Sequence, residues 1–109
     1  MTLIYKITPR DDWLAAEEAG AFTGAPVDVA DGFIHFSTAE QATETAAKHF
    51  KGQEDLLLVA VDAEKLDDLR WEPSRGGALF PHLYEPLSMD AVVWVRPMPL
   101  VGGLHALPI

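Results

Sequence analysis

The chain has 109 residues, with 8 Lys and Arg against 17 Asp and Glu, so its formal net charge is −9. This length suits one domain with a single core. The acidic balance argues against broad binding of nucleic acid or of an anionic membrane, since both require a cationic face. The absence of cysteine excludes disulfides, thiolate metal sites and cysteine nucleophiles.

Two observations bear on location. The longest apolar runs, residues 56–61 and 91–95, are far shorter than the roughly 20 residues that span a bilayer. The first ten residues lack the basic and apolar regions of a signal peptide. We therefore expect a cytoplasmic protein that does not bind membranes.

The first third of the chain predicts a strand, a helix and a loop. Alternation over residues 3–7 predicts the strand. Thr8 is then predicted to be the N-cap of a helix that has Pro9 at its first position and stops at Gly20. Residues 21–32 contain glycine and proline and show little periodicity, so they predict a loop with at most one short strand.

A second strand and helix follow in the middle of the chain. Residues 33–36 predict a compact apolar strand. The sequence from Ser37 to Glu40 matches a capping box, in which Ser37 caps the helix and the Glu40 side chain bonds back to the Ser37 N–H. The helix is expected to end near Gly52. Residues 56–61 predict a strand that is covered on both faces.

The second half of the chain predicts strands and no further long helix. Residues 69–72 and 91–96 predict two strands, whereas residues 79–88 contain too much proline for a central strand. We predict a single α+β domain over residues 1–97, with a split, mostly antiparallel β-sheet and two main helices. Residues 98–109 predict an irregular C-terminal tail packed on the same domain.

The first candidate site segment joins His35 to the start of a predicted helix. His35 alternates with large apolar residues, and Ser37 and Thr38 follow it at the helix N-terminus, where free N–H groups can bind an anion. This arrangement favours a ligand site. The structural alternative is a core histidine bonded to a backbone carbonyl, with Ser37 acting only as a cap.

The second candidate segment places two arginines and a carboxylate beside a glycine pair. Arg70 and Arg75 suit a phosphate or carboxylate group, and the glycines at positions 76 and 77 allow a ligand to approach the backbone closely. The alternative is a polar hairpin turn with a surface pair between Arg70 and Glu72.

The third candidate segment displays aromatic rings and an imidazole beside two prolines. Pro81 and Pro86 stiffen the segment, while His82 and Tyr84 point the same way if it is extended. Together with Phe80, they suit stacking and hydrogen bonding to a small planar ligand. The alternative is a proline-braced loop whose side chains only pack.

We predict no metal site. His49, late in a predicted helix, and His105, in the glycine-rich tail, need no function, and no metal-binding spacing such as His-x-x-x-His occurs. A zinc site formed in space by His35, Glu72 and His82 is conceivable, but nothing in the sequence spacing supports it.

Two of these segments, "DGFIHFSTAEQ" and "LRWEPSRGGALFPHLYEPL", resemble the bacterial family known as domain of unknown function 952. The resemblance extends from "IYKI" to about Pro97. The family pattern usually has glycine after the tyrosine of the third segment, and this chain has Glu85 there. Glutamate does not adopt a positive φ as cheaply as glycine does, so the turn geometry is expected to differ.

The resemblance also implies a fold and a chemistry. That family has been grouped, on remote similarity, with the ADP-ribosyltransferase-like fold, whose members hold NAD in a cleft of a split β-sheet. It implies that His35 contacts a ribose hydroxyl and that Tyr84 stacks on nicotinamide. It leaves the acid open between Glu72 and Glu85. The two arginines of the second segment would hold the pyrophosphate.

The leading hypothesis is a domain that binds a nucleotide-like anion of the NAD or ADP-ribose type. NAD would be the substrate of ADP-ribosyl transfer or a related cleavage of its glycosidic bond, and no cofactor would be required. One rival is a non-catalytic small-ligand-binding or interaction module. Another is an enzyme for a different small anion, with two histidines as acid and base. The predicted catalytic residues are His35, Glu72, His82 and Tyr84, and the predicted ligand-binding residues are Ser37, Thr38, Arg70, Arg75 and Phe80.

Overall fold

The computed structural model describes residues 1–109 apart from the side chain of Arg75. Within this described part, ten strands and three α-helices form a mixed α+β domain, as the sequence predicts. In chain order the elements are β1 (Leu3–Pro9), α1 (Arg10–Ala19), β2 (Ala21–Phe22), α2 (Pro26–Asp31), β3 (Ile34–His35), α3 (Ala39–His49), β4 (Leu56–Asp62), β5 (Leu69–Pro73), β6 (Leu79–Leu83), β7 (Leu87–Ser88), β8 (Val92–Met98), β9 (Leu100–Val101) and β10 (Leu104–His105).

Two three-stranded sheets dominate the fold, and every strand pair is antiparallel. The first has the order β1-β4-β8 and the second the order β3-β6-β5. The sheets meet at Tyr5 and Ser37, whose backbones exchange two N–H···O=C bonds of 2.8 Å. Among the described residues, this bridge is the β-pairing that links the two sheets. The split, mostly antiparallel sheet predicted from the sequence is confirmed.

The central strand β4 is buried along its whole length. Its alternate side chains enter two clusters, because successive residues of a strand face opposite sides. Leu57, Val59 and Val61 pack with Trp13 of helix α1, whereas Leu56, Leu58 and Ala60 pack with Ala46 of α3. The prediction of a strand covered on both faces is confirmed.

Both main helices are present, but each predicted N-cap is wrong by one position. Thr8 lies fully buried within β1, and α1 begins after Pro9 without a side-chain cap. At α3 the cap is Thr38, whose hydroxyl accepts from the Gln41 N–H, while the Gln41 side chain accepts from the Thr38 N–H. This capping box replaces the predicted one at Ser37, because the Ser37 backbone is held in the bridge to β1.

Strand β6 corrects the prediction that residues 79–88 cannot form a central strand. It lies between β3 and β5 despite Pro81 at its middle. The Pro81 carbonyl accepts from the Phe36 N–H, just beyond the two-residue strand β3. Because proline lacks only the N–H, and β3 has already ended there, the ladder loses little.

Two short elements occur where the sequence predicts loop or irregular structure. Helix α2 spans six residues of the predicted loop, with Pro26 at its first position and Gly32 in the left-handed conformation after its end. The C-terminal tail forms the hairpin of β9 and β10, turned by two glycines with positive φ. Proline and glycine are typical at the ends of a helix and in a tight turn, so these residues are in their usual places. The elements themselves are too short to show a periodic pattern in the sequence.

Among the described residues, no helix is both long and apolar enough to cross a membrane.

Candidate functional site

One face of the second sheet gathers most of the predicted site residues. His35 pairs with His82, and His82 pairs in turn with Arg70, so the three side chains form a row across the strands. Glu72 and Phe80 form the next row. Directly paired residues share a face and successive residues alternate. The spacing of two seen in the sequence therefore carries all of these side chains to the same side.

His82 forms a dyad with Glu72 at the centre of this face. The Glu72 carboxylate accepts from His82 Nδ1 at 2.9 Å and from the Tyr84 hydroxyl at 2.6 Å. The ring of Phe33 stacks on His82 with 4.1 Å between centroids. His82 is 6% exposed, so its ring is fixed by packing as well as by hydrogen bonding. Because Nδ1 is occupied, Nε2 is the ring nitrogen left to act on a ligand.

The same hydrogen bonds change the acidity of Glu72 and Tyr84. The Tyr84 hydroxyl, then the His82 ring, hold the pKa of Glu72 below its ordinary value. The Glu72 carboxylate raises the pKa of Tyr84 in return. Glu72 is therefore an anionic acceptor that orients His82 at neutral pH, not a proton donor.

His35 lies beside His82, with 5.6 Å between the ring centroids. Its Nδ1 is 2.6 Å from Asp28 Oδ1, and its Nε2 is 2.9 Å from Asp31 Oδ2. Both ring nitrogens therefore face carboxylates of α2, and neither is left for a ligand while these contacts hold. The sequence predicts His35 in the site but predicts neither of its partners.

Asp28 is the buried hub of this part of the site. It is 1% exposed, and each of its two carboxylate oxygens lies 2.9 Å from Lys6 Nζ. It also accepts from the Ala25 N–H and from the His35 N–H and Nδ1. Burial alone would raise the pKa of Asp28, but the His35 hydrogen bond and the Lys6 charge outweigh it and lower this pKa to about 2.

The local sequence before α2 explains how Asp28 reaches this position. Gly24 has φ of 121°, and a Cβ there would lie 2.8 Å from the Cβ of Asp28. Only glycine combines this backbone conformation with so close an approach. Pro26 then fixes the first helical residue, and the Asp28 side chain caps the helix through the Ala25 N–H.

A cleft of about 270 Å³ is lined by residues of β1 from the first sheet, of β3 and β6 from the second sheet, and of α3. Its lining includes Lys6 and three of the four histidines of the chain, His35, His49 and His82. No Asp or Glu lines it among the residues that the structure describes. Lys6 and His35 contact Asp28, and His82 contacts Glu72, so the carboxylate partners of these groups lie outside the lining.

Most of the remaining lining of the cleft is aromatic or carries hydroxyl groups, and Ile7 and Val27 add aliphatic surface. Phe36, Phe50 and Phe80 line it, as do Ser37 and Thr45. The Ser37 and Thr45 hydroxyls lie 3.0 Å apart and share a hydrogen bond. Flat apolar walls with a few convergent polar groups are the usual construction of a small-molecule site.

Several predicted site residues do not line this cleft. Glu72 and Tyr84 contact it only through His82, and the guanidinium of Arg70 stacks over the Tyr84 ring, 4.4 Å from its centroid. Thr38 is used as the helix cap. The predicted role of Arg75 concerns a side chain outside the described part of the structure. Of the predicted set, His35, Ser37, Phe80 and His82 line the cleft.

Glu85, the second candidate acid, is engaged elsewhere. Its Oε2 accepts from the backbone N–H groups of Asp67 and Asp68, at 2.8 and 2.9 Å. It therefore holds the entry to β5 and is not part of the cleft lining.

Sequence reasoning missed several residues of the site, among them Lys6, Asp28, Asp31, Phe33 and His49. A lysine within the alternating apolar run of β1 signals an inward-facing charge that needs a partner. The sequence "PVDVADG" holds that partner, Asp28, between a proline and a glycine that mark a short helix. His49 gives no such signal, because a histidine near a helix C-terminus is favourable without any function.

Among the described residues, no group of three or more His, Asp or Glu side chains is arranged to hold a metal ion.

Comparison with known proteins identifies the family and leaves the activity open. The chain is similar to protein CC0527 from Caulobacter crescentus, to whose crystallised chain it is 56% identical. The match covers 97% of this chain and 95% of the CC0527 chain, with a TM-score of 0.93. The solution structure of CC0527 gives 56% identity, coverage of 96% and 91%, and a TM-score of 0.85. No curated protein matches the chain. The model of the family described as "Protein of unknown function (DUF952)" matches residues 7–95, and the chain belongs to this family.

Proposed function

We propose that the chain binds a small anionic ligand of the nucleotide type, NAD or ADP-ribose, in the cleft between the two sheets. The observation that carries the proposal is the lining of that cleft. It contains Lys6 and three histidines and, among described residues, no carboxylate, although acidic residues outnumber basic ones by about two to one in the chain. Such a lining presents N–H donors, and no carboxylate oxygen of the described residues, to an anion that enters the cleft.

The size of the cleft limits which part of the ligand it encloses. Small-molecule sites usually measure about 300–1,000 Å³, and this cleft measures about 270 Å³. It therefore suits one nucleoside-sized half of a dinucleotide, with the other half outside. The rings of Phe36, Phe50 and Phe80 offer stacking surfaces for a planar base.

The group that can move a proton in this cleft is His82. With Nδ1 held by Glu72, Nε2 is able to accept a proton, and the Glu72 carboxylate stabilises the resulting imidazolium. ADP-ribosyl transfer would need the nicotinamide half of NAD in the cleft in place of the adenosine half. His82 Nε2 would then take the proton of an acceptor hydroxyl as the hydroxyl oxygen bonds to the anomeric carbon and nicotinamide leaves. Tyr84 and Arg70 support Glu72 from behind and do not touch the ligand.

A non-catalytic ligand-binding module is the second candidate, and a specific observation favours it. The resemblance implies a ribose-binding histidine and an acid at the reacting bond. Both nitrogens of His35 face carboxylates, and Glu72 does not line the cleft. Binding without cleavage is consistent with this arrangement. In both cases the proposal involves neither nucleic acid nor a membrane, and its cellular setting is the cytoplasm.

Calorimetry with NAD and ADP-ribose tests binding, and release of nicotinamide from NAD tests catalysis. We expect heat of binding with the wild type and a large loss of affinity in His82→Ala. The matched control is His105→Ala, since His105 lies in the C-terminal hairpin away from this cleft. Absence of heat at millimolar ligand would overturn the binding proposal. Binding without nicotinamide release would reject the enzyme and retain the binding module.

A further inference from the structure

Lys6 is a charged side chain buried at the lining of the cleft. It lies on β1, is 4% exposed, and has Asp28 as its partner among the described residues. Burying such a pair costs each ion its hydration, and replacing a buried ion pair by apolar side chains is often neutral or stabilising. Stability alone therefore does not account for a lysine at this position.

The hydrogen-bonding capacity of the two partners is unequal. A carboxylate offers about four acceptor positions, and Asp28 receives Lys6 Nζ, the Ala25 N–H and both the N–H and Nδ1 of His35. Its capacity is full. The Lys6 ammonium has three donors and faces two carboxylate oxygens, each at 2.9 Å. At least one N–H of Lys6 is left for an acceptor that enters the cleft.

We propose that Lys6 is the residue that binds the acidic oxygen of the ligand, with Asp28 as the positioning residue that holds it. This inference rests on the proposed function and assigns the anion to β1 instead of to the arginines of the second segment. Arg70, by contrast, donates to Asp68 at 3.2 Å and stacks on Tyr84, so it is engaged outside the cleft.

The geometry also specifies the ligand chemistry. One buried ammonium donor fits a phosphate or carboxylate oxygen, because a charge-assisted bond of this kind is strong where water is excluded. Asp28 already balances most of the Lys6 charge, so the cleft accommodates one acidic group there. In a ligand of the ADP-ribose type, that group is one phosphate, while the base occupies the aromatic part of the cleft.

The test compares ADP-ribose with adenosine, which lacks the phosphates, in a charge-balanced double variant. Lys6→Met with Asp28→Asn removes both charges together, so that neither ion is left buried alone. The matched control is Arg10→Met with Asp55→Asn, which removes an exposed ion pair of 2.7 Å. Calorimetry and thermal melting are measured for all three proteins.

We expect the double variant to lose about tenfold to a hundredfold in affinity for ADP-ribose, as removal of a charge-assisted bond does. Its affinity for adenosine is expected to change by less than about threefold, and the control should match the wild type. Unchanged ADP-ribose affinity in the double variant, or equal losses for both probes, overturns the role of Lys6. Failure of the wild type to bind either ADP-ribose or NAD overturns the proposed function itself.

A second measurement needs no variant and covers the case in which the double variant does not fold. The ε-methylene signals of the lysines are followed by NMR in the wild type during titration with each probe. ADP-ribose is expected to shift the Lys6 signal and not those of Lys48, Lys51 or Lys65. Adenosine is expected to leave Lys6 unchanged. If ADP-ribose binds and the Lys6 signal does not shift, the proposed role of Lys6 is overturned.

Discussion

At the scale of single residues, the site depends on two carboxylates, of which the sequence singles out Glu72 but not Asp28. Asp28 joins β1, α2 and β3 through Lys6 and His35, and Glu72 joins β5 and β6 through His82 and Tyr84. Each fixes one imidazole of the adjacent pair. The two histidines are thus oriented by different parts of the chain.

Asp28→Asn is expected to destabilise the fold by about 3–5 kcal/mol, because it leaves the Lys6 charge buried without its counter-ion. Asp31→Asn is the matched control, since Asp31 is half exposed and its contact with His35 should contribute less than about 1 kcal/mol. Urea unfolding measures both. Equal, small effects would contradict the assignment of Asp28 as a structural hub.

The depressed pKa of Asp28 predicts a specific acid sensitivity. Its pKa is about 2 in the folded chain, against an ordinary value of 3.8, so the stability that its ionised form contributes is fully present above about pH 4. That contribution is lost as the pH falls through about 2. The wild type should therefore lose more stability across this range than Asp28→Asn does, as measured by urea midpoints. Parallel pH profiles of the wild type and Asp28→Asn would contradict the predicted acid sensitivity of Asp28.

Glu72→Gln is expected to lower the pKa of Tyr84 back toward 10.0, because the carboxylate that accepts its hydroxyl proton is removed. Ultraviolet titration of tyrosinate measures the change. The chain has two tyrosines, and Tyr84→Phe assigns the signal by removing it. A Tyr84 titration that Glu72→Gln leaves unchanged would show that the hydrogen bond from Tyr84 to Glu72 is not formed in solution.

At the scale of elements, the short helix α2 connects local backbone geometry to the site. Gly24→Ala is expected to destabilise the fold by about 1–2 kcal/mol for the left-handed conformation alone, with more from the contact with Asp28. It should also weaken ligand binding by displacing Asp28 and with it Lys6. Gly20→Ala is the control, because it has positive φ but no atom within 4 Å of an added Cβ. Equal effects of both variants on binding would contradict this link.

The extent of sequence prediction differs between elements for physical reasons. Strands β1, β4 and β8 are long enough for alternation or continuous hydrophobicity to reveal, and the period of two at residues 80, 82 and 84 correctly places these side chains on one face. Helix α2 has six residues, too few for a helical stripe. Pro81 argues against a central strand. The central strand β6 nevertheless accommodates this proline, because the neighbouring strand β3 has only two residues and has ended at that point.

The site shows the same limit. Of the predicted site residues, His35, Ser37, Phe80 and His82 line one cleft, and they alternate on strands or adjoin a helix start. Their partners Lys6, Asp28 and Asp31 are distant in sequence or lie in the unrecognised helix. Which carboxylate contacts which histidine depends on strand register, and the sequence does not specify that register.

At the scale of the whole molecule, the split between the two sheets creates the cleft. The sheets are joined by one backbone bridge, Tyr5 to Ser37, and the cleft is lined by residues of both sheets and of α3. The net charge of −9 is distributed so that carboxylates surround this cleft without lining it among the described residues. The proposed function takes a small anion at this cleft, and the negative charge of the rest of the molecule disfavours a polyanion.

The structure of the protein crystallised with ADP-ribose tests the central claim most directly. We predict that the ligand occupies the cleft between the sheets, with a base against Phe80, a phosphate oxygen within hydrogen-bonding distance of Lys6 Nζ, and His82 Nε2 facing the ribose. Ligand bound elsewhere on the molecule, or a cleft that stays empty at saturating ADP-ribose, would contradict the account.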